Sequence, residues 1–312
     1  MAKRRATLLY NPHSGRRGHR VYQMELVAAA LRQQGFDVTI LATEGPNTAD
    51  RQAAKAAETA DILFACGGDD TVHEVLQGLA FHPHTALGII PFGSANALAR
   101  HLRLSLDPVR AARQQIDYEP RIIPLGKVTY NTLAGEHSRY FAVMAGAGAD
   151  GMLVYKMLAG SKQKLGRLSY YKHAARLFLR ERFATFDFSY KPTAGDAMPV
   201  HAVSTMAVRV DDLGGPFSPL IQGAAVDHPH LLLTIVKTPA TLSLLAWFGM
   251  SWARLHCWNK YVQTLNVEEY YCSEGDVTPV QVQADGEWLG FTPMTVTIVP
   301  GALRLLMPPQ KN

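Results

Sequence analysis

The chain has 312 residues, 47% of them hydrophobic and 18% charged, with 25 glycines and 18 prolines. That composition excludes a disordered, collagenous or low-complexity chain and leaves a globular protein whose length suits two domains better than one. Lys+Arg 31 against Asp+Glu 26 gives a net charge of +5, a mild basic excess compatible with nucleotides, anionic lipid headgroups or nucleic acid. Cys66, Cys257 and Cys272 have no CxxC or finger spacing, which argues against a disulfide framework and a zinc site and for a reducing compartment. The first apolar run, Ala6 to Tyr10, is too short for a signal-peptide core. The longest uncharged stretch, Thr238 to Ala253, falls short of the ~20 residues that span a bilayer. A cytoplasmic location without a transmembrane helix is the expectation.

From Ala6 to about Ile116 short apolar runs alternate with helical patterns, the signature of parallel strands joined by crossover helices. Strands are predicted over 7–10, 36–41, 61–66 and 86–90. Helices are predicted over 21–34, stopped by Gly35, and up to Ala60 with Thr48 as cap. Another covers 71–80, entered through Gly67-Gly68 and capped by Thr71; two more cover 94–101 and 107–116, the last with Asp107 as cap and Pro108 at its first position. Beyond Pro120 alternating runs over 121–128, 203–210, 231–236, 280–284 and 295–299 suggest antiparallel strands, with helical insertions over 164–183 and 239–258. The expected domains are therefore 1–120, α/β with a parallel sheet, and 121–312, mainly antiparallel β.

Three loops of the first domain carry phosphate-binding chemistry. Asn11-Pro12-His13-Ser14-Gly15 leads from a strand to a helix, where backbone N–H groups and the helix N-terminus can receive a phosphate, and Arg16, Arg17 and Arg20 add positive charge. Gly67-Gly68-Asp69-Asp70-Thr71-Val72-His73 occupies the same kind of position, with Asp69 able to reach Mg²⁺ or a hydroxyl. Pro91-Phe92-Gly93-Ser94-Ala95-Asn96 repeats the pattern. The first loop alone reads equally as an ordinary turn, and a plain capped turn is the bland alternative for the second, where Gly-Gly-Asp favours the functional reading. Far downstream, Asp285-Gly286-Glu287 places two carboxylates around what Asp-Gly by itself predicts to be a hairpin turn.

Taken in order and spacing, NPHSG, GGDDTVHEVLQGL, GSANALARHL and QADGE resemble the diacylglycerol-kinase catalytic-domain family of bacterial lipid kinases and sphingosine and ceramide kinases. KLGRLSYYKHAARLFL and VPGALRLLMPP extend the resemblance over nearly the whole chain. It implies an α/β nucleotide domain, a C-terminal β-sandwich that receives the lipid, and ATP- and Mg²⁺-dependent phosphorylation of a lipid hydroxyl. By motif, the nucleotide would be held by Asn11, Pro12, His13, Ser14 and Gly15, by Gly67, Gly68, Asp69, Asp70, Thr71, Val72 and His73, and by Thr43, Ser94 and Asn96. Glu287 would be the general base, Asp285 its support, and Asp69 a catalytic carboxylate and metal ligand. The implied partner is a lipid substrate at the membrane surface, with peripheral membrane contact and no nucleic acid; oligomeric state is not legible.

The chain departs from that family at several points. Asp70 replaces the usual glycine of GGDGT, bringing a carboxylate toward the phosphates, though Asp tolerates a left-handed backbone that would preserve the turn. The usual GTxND becomes Gly93-Ser94-Ala95-Asn96-Ala97, and Asp227-His228-Pro229 stands where the resemblance implies an Asp-Gly pair near a structural metal, so a second ion is not claimed. A nicotinamide-dinucleotide kinase shares a GGDG turn and is one alternative; a catalytically weakened lipid-binding or regulatory member is another. Gly146-Ala147-Gly148-Ala149-Asp150-Gly151 fits GxGxxG but lacks the early βαβ context of a dinucleotide site. Trp247, Phe248, Trp252 and Trp258 make one aromatic stripe that suits either the β-domain core or a helix lying in a membrane interface.

Overall fold

The computed structural model describes residues 3–12, 17–160, 183, 185–192, 198–213, 223–237, 262–275 and 279–309. The chain divides into two units: Met1–Leu125, Asp212–Gly214 and Val299–Asn312 form the first, and Gly126–Asp211 and Gly215–Ile298 the second. The expected boundary at 120/121 is corrected in one respect. The last residues return to the first unit, where Leu305 pairs in parallel with Leu87, so that unit is not one continuous segment.

In the first unit the apolar runs become β1 (Arg5–Tyr10), β2 (Asp37–Ala42), β3 (Ile62–Gly67) and β4 (Ala86–Pro91), all parallel in the order β2-β1-β3-β4. Every residue of β3 and β4 is buried, as expected where helices cover both faces of a parallel sheet. The crossovers are α1 (Arg17–Gln33), α2 (Ala49–Ala57) and α3 (Asp69–Leu79), followed by the short α4 (Ala97–His101) and α5 (Pro108–Gln114). Leu8, Met24, Leu31, Ile62, Phe64 and Ile90 pack in its core. Asp107 accepts from the Arg110 N–H at 2.8 Å with Pro108 in the first turn, the predicted cap. Thr48 does not cap α2 with its side chain; its hydroxyl bonds the Gly45 backbone instead.

The second unit contains β6 (Gly135–Phe141), β7 (Met144–Gly148), α6 (Ala149–Gly160), β8 (Phe186–Pro192), β9 (Met198–Ala202), β10 (Ser204–Val208), β11 (Leu231–Val236), β12 (Val262–Gly275) and β13 (Gln281–Ala284). Two long strands cross the division in the chain, β5 (Glu119–Thr132) and β14 (Glu287–Met307). Among the described residues the ladders from β13 through β7, β10 and β11 to β12 are antiparallel. They run β13-β7-β10-β11-β12, and β14 pairs both with β13 and with β12, so the strands close a circuit around Leu233, Ile235, Val267, Tyr270, Val282 and Val296. The GxGxxG segment is the turn from β7 into α6, and close packing explains its glycines. A Cβ on Gly146 would lie 2.3 Å from the Thr205 carbonyl oxygen, and one on Gly151 2.1 Å from that of Gln281. The helices expected over 164–183 and 239–258, with the aromatic stripe and the whole of KLGRLSYYKHAARLFL, lie outside the described residues except for Phe183.

Candidate functional site

The register of the parallel sheet brings the predicted loops to one edge. Tyr10 pairs with both Ala42 and Cys66, and Gly67 pairs with Pro91, so the carboxyl ends of all four strands are level. Asn11 and Pro12 follow β1, Thr43 follows β2, Gly68 and Asp69 follow β3, and the Gly93–Asn96 loop follows β4. The strand order reverses between β1 and β3, since β1 leads outward to β2 while β3 lies on its other side. In open α/β sheets ligands bind outside the carboxyl ends at such a switch point. The two loops there are the Asn11 and Gly67-Gly68 loops, each leading into the N-terminus of a helix, α1 and α3. His13, Ser14 and Gly15 lie outside the described residues.

Two of these loops are welded together. The Asp69 carboxylate accepts from the Asn96 N–H through Oδ2 at 2.8 Å and from the Ala97 N–H through Oδ1 at 2.7 Å. Asn96 is left-handed, at φ 50° and ψ 51°, and its side chain closes the loop by accepting from the Gly93 N–H at 2.9 Å and donating to the Gly93 carbonyl at 2.8 Å. Backbone meets backbone beside this lock: a Cβ on Gly93 would lie 2.6 Å from the Cα of Gly68. The sequence reads Asn96 as a ligand contact; its geometry also makes it the residue that shapes the loop.

Helix α3 starts earlier than predicted, with Gly68 at the N-cap and Asp69 and Asp70 in its first turn. Thr71 is therefore inside the helix and does not cap it; its side chain folds toward Gly67, where a Cβ would lie 2.2 Å from Thr71 Oγ1. Asp70 is exposed and right-handed, so no left-handed turn has to survive the loss of the family's glycine. Val72 and His73 are buried at 6% and 0% exposure on the core side of α3, which removes their side chains from the phosphate surface. Ser94 is exposed, and Thr43 is buried with its N–H bonded to the Tyr10 carbonyl at 2.9 Å. Arg20 stacks its guanidinium over Phe92, 4.2 Å from the ring centroid, and burial lowers its pKa.

In the second unit the DGE segment is the hairpin turn between β13 and β14. Asp285 and Gly286 have φ of 50° and 89°, and Ala284 pairs with Glu287 across the two-residue loop. Asp285 is buried, and its carboxylate accepts three backbone N–H groups, from Ala142 at 3.1 Å and from Val143 and Met144 at 2.9 Å each. Its own N–H donates to the Met144 carbonyl at 2.8 Å. Asp285 thus anchors the turn, while Glu287, at the start of β14, is only half-buried.

A second support was missed in the sequence. Gln283 accepts from the Gly286 N–H at 3.1 Å and donates to Asp150 Oδ2 at 2.6 Å. Asp150 is the acid of the GxGxxG segment; burial raises its carboxyl to about 6 against the pull of the Gln283 hydrogen bond. Its signal was a lone carboxylate in a run of small apolar residues. Among the described residues no group of three or more His, Cys, Asp or Glu side chains is gathered for a metal. His228 and His230 only tilt against each other, with ring centroids 5.2 Å apart.

A level parallel-sheet edge with glycine-rich loops, followed in the chain by an antiparallel unit that presents a DGE hairpin, defines a two-unit kinase architecture. The chain belongs to the diacylglycerol kinase catalytic domain family, which matches residues 5–128, with the YegS C-terminal NAD kinase beta sandwich-like domain matching residues 143–307. It is 28% identical over 295 residues to a diacylglycerol kinase of Staphylococcus saprophyticus, covering 93% of this chain and 91% of that one. A diacylglycerol kinase of Staphylococcus aureus is 26% identical over 297 residues, covering 93% and 88%. The fold is similar to that of a solved diacylglycerol kinase of Bacillus anthracis, with TM-score 0.67 and 19% identity over 98% of this chain and 97% of that one.

Proposed function

We propose that the protein is an ATP-dependent lipid kinase that transfers the γ-phosphate to the hydroxyl of a diacylglycerol or a sphingoid lipid at a membrane surface. The observation that carries the reading is the placement of the Asn11 and Gly67-Gly68 loops on the adjacent strands β1 and β3, where the strand order reverses. Phosphate oxygens would meet the first turn of α3, whose N–H groups have no acceptor within the helix itself and point toward its N-terminus. The close approach of Gly68 to Gly93 keeps side chains out of that space.

Asp69 fits a Mg²⁺-nucleotide complex as a carboxylate in the loop after β3, at the sheet edge where the phosphates would lie, and such an ion takes only one or two carboxylates with phosphate oxygens and water. Bound there, Mg²⁺ would supply charge neutralisation at the transferring phosphoryl group. Glu287 would accept the proton of the lipid hydroxyl as its oxygen attacks phosphorus, and Asp285 would hold the hairpin that aims it. The reading is tested by incubating the purified chain with labelled ATP and diacylglycerol, sphingosine, ceramide or NAD. A labelled lipid supports it; label in NAD alone, or in none of the four, overturns it.

A further inference from the structure

At the end of the first unit's sheet opposite the Asn11 and Gly67-Gly68 loops lies a basic cavity that no motif accounts for. Its volume is about 670 Å³, and it is lined by Lys3, Arg4, Arg5, Asp61, His84 and Arg304 beside Pro120. All of these belong to the first unit. Arg5 opens β1, Asp61 directly precedes β3, His84 stands two residues before β4, and Arg304 adjoins Leu305, the partner of Leu87 near the start of β4. The cavity therefore lies at the amino ends of the strands, roughly 20 Å from their carboxyl ends, given the six residues of β1 at about 3.3 Å each.

Three guanidiniums are held there by three separate contacts. Arg5 Nη2 faces Asp61 Oδ1 at 3.8 Å, and the Arg5 backbone N–H donates to Asp61 Oδ2 at 2.7 Å. Arg4 lies over the Phe36 ring, 5.3 Å from its centroid, and Arg304 donates through Nη1 to the Pro83 carbonyl at 3.0 Å. Four fixed cations, Lys3, Arg4, Arg5 and Arg304, thus face the single carboxylate of Asp61, a net of +3. Like charges gathered in one concavity repel one another, so an anion seated among them is attracted by all of them. Planar guanidiniums present paired N–H groups that match phosphate oxygens, and a cavity of this size suits a small molecule better than a bare ion.

We propose that this cavity is a second anion site, separate from the nucleotide edge, which takes a phosphate monoester through Lys3, Arg4 and Arg304, with Arg5 held in its wall by Asp61. The inference goes beyond the kinase reading and does not depend on it. A phosphate monoester is carried both by soluble metabolites and by the headgroup of phosphatidic acid, and the same cations would meet either.

The test is calorimetric titration of the full chain with glycerol 3-phosphate, beside sedimentation with phosphatidylcholine vesicles made with and without phosphatidic acid. The wild type should bind at least one probe, more weakly as salt rises, and Arg4→Gln with Arg304→Gln should weaken that binding about tenfold or more. Arg110→Gln with Arg113→Gln removes the same charge from exposed positions of α5 and should leave binding unchanged. Binding of glycerol 3-phosphate marks a soluble ligand; binding confined to vesicles with phosphatidic acid marks the headgroup. Binding of neither probe, full retention in the Arg4 and Arg304 double variant, or equal loss in the α5 pair overturns the site. Should the Arg304 change unfold the chain, Lys3→Gln with Arg4→Gln, both at exposed positions, makes the same comparison.

Discussion

Asp69 and Asn96, 27 residues apart in sequence, are joined by a 2.8 Å hydrogen bond from the Asn96 backbone N–H to Asp69 Oδ2, and the neighbouring Ala97 N–H occupies Oδ1. The carboxylate that the family's chemistry would assign to a metal is thus also the clamp between two loops. Asp69→Ala should cost about 1–3 kcal/mol of stability, because it orphans N–H groups that are partly buried. It should weaken Mg-ATP binding as well. Urea unfolding and calorimetric titration check the two effects, and an Asp69→Ala variant of wild-type stability would remove the clamp.

Gly93→Ala should strain the same pair of loops, since the new Cβ would lie 2.6 Å from the Cα of Gly68, and backbone cannot swing aside as a side chain can. The expected cost is about 1–3 kcal/mol with a clear loss of ATP affinity. Gly35→Ala is the contrast. It meets nothing within 4 Å but sits at φ +84°, so about 1–2 kcal/mol of backbone strain should appear without any change in ATP binding.

Glu287→Gln should lower kcat by ~10²–10⁴ while leaving ATP affinity and Tm nearly unchanged, because the side chain is half-buried and the turn is held by Asp285 and Gln283. Retention of most of the activity would take Glu287 out of the role of base.

Asp70→Gly separates two effects of one carboxylate. Asp70 is exposed in the first turn of α3, where a negative charge favours the helix by about 0.3–1 kcal/mol, so its removal should lower Tm slightly. The same removal should tighten Mg-ATP binding by relieving repulsion from the phosphates. Weaker binding in the glycine variant would instead mark Asp70 as a ligand of the ion.

The Asp150 carboxyl predicts a pH dependence of stability. Its pKa is raised from 3.8 to about 6 by burial, so between about pH 4 and pH 6 the native state holds a proton that the unfolded chain has released. Stability should therefore fall as pH rises through that window and then level off, by an amount on the order of 3 kcal/mol at about 1.4 kcal/mol per unit. Asp150→Asn should flatten that part of the profile, as followed by urea unfolding at a series of pH values. An unchanged profile would place the titration elsewhere.

The sequence by itself determined the order of the first unit's strands and helices, the Asp107 cap, the hairpin at Asp285-Gly286, and the family. These are local or contiguous signals: apolar period, a proline after a capping residue, and an Asp-Gly pair that both tolerate positive φ. It did not determine what His73, Asn96 and Asp69 do, because a motif says which residue types stand together but not which way each faces. His73 turned into the core and Asn96 turned back on its own loop. Nor could it show that residues 299–312 rejoin the first unit, or that the Gln283 side chain links the DGE hairpin to Asp150. The Gln283–Asp150 bond alone joins residues 133 positions apart. Such links exist only because the antiparallel ladders close their circuit and exclude water, which makes each buried polar group find a partner across the fold.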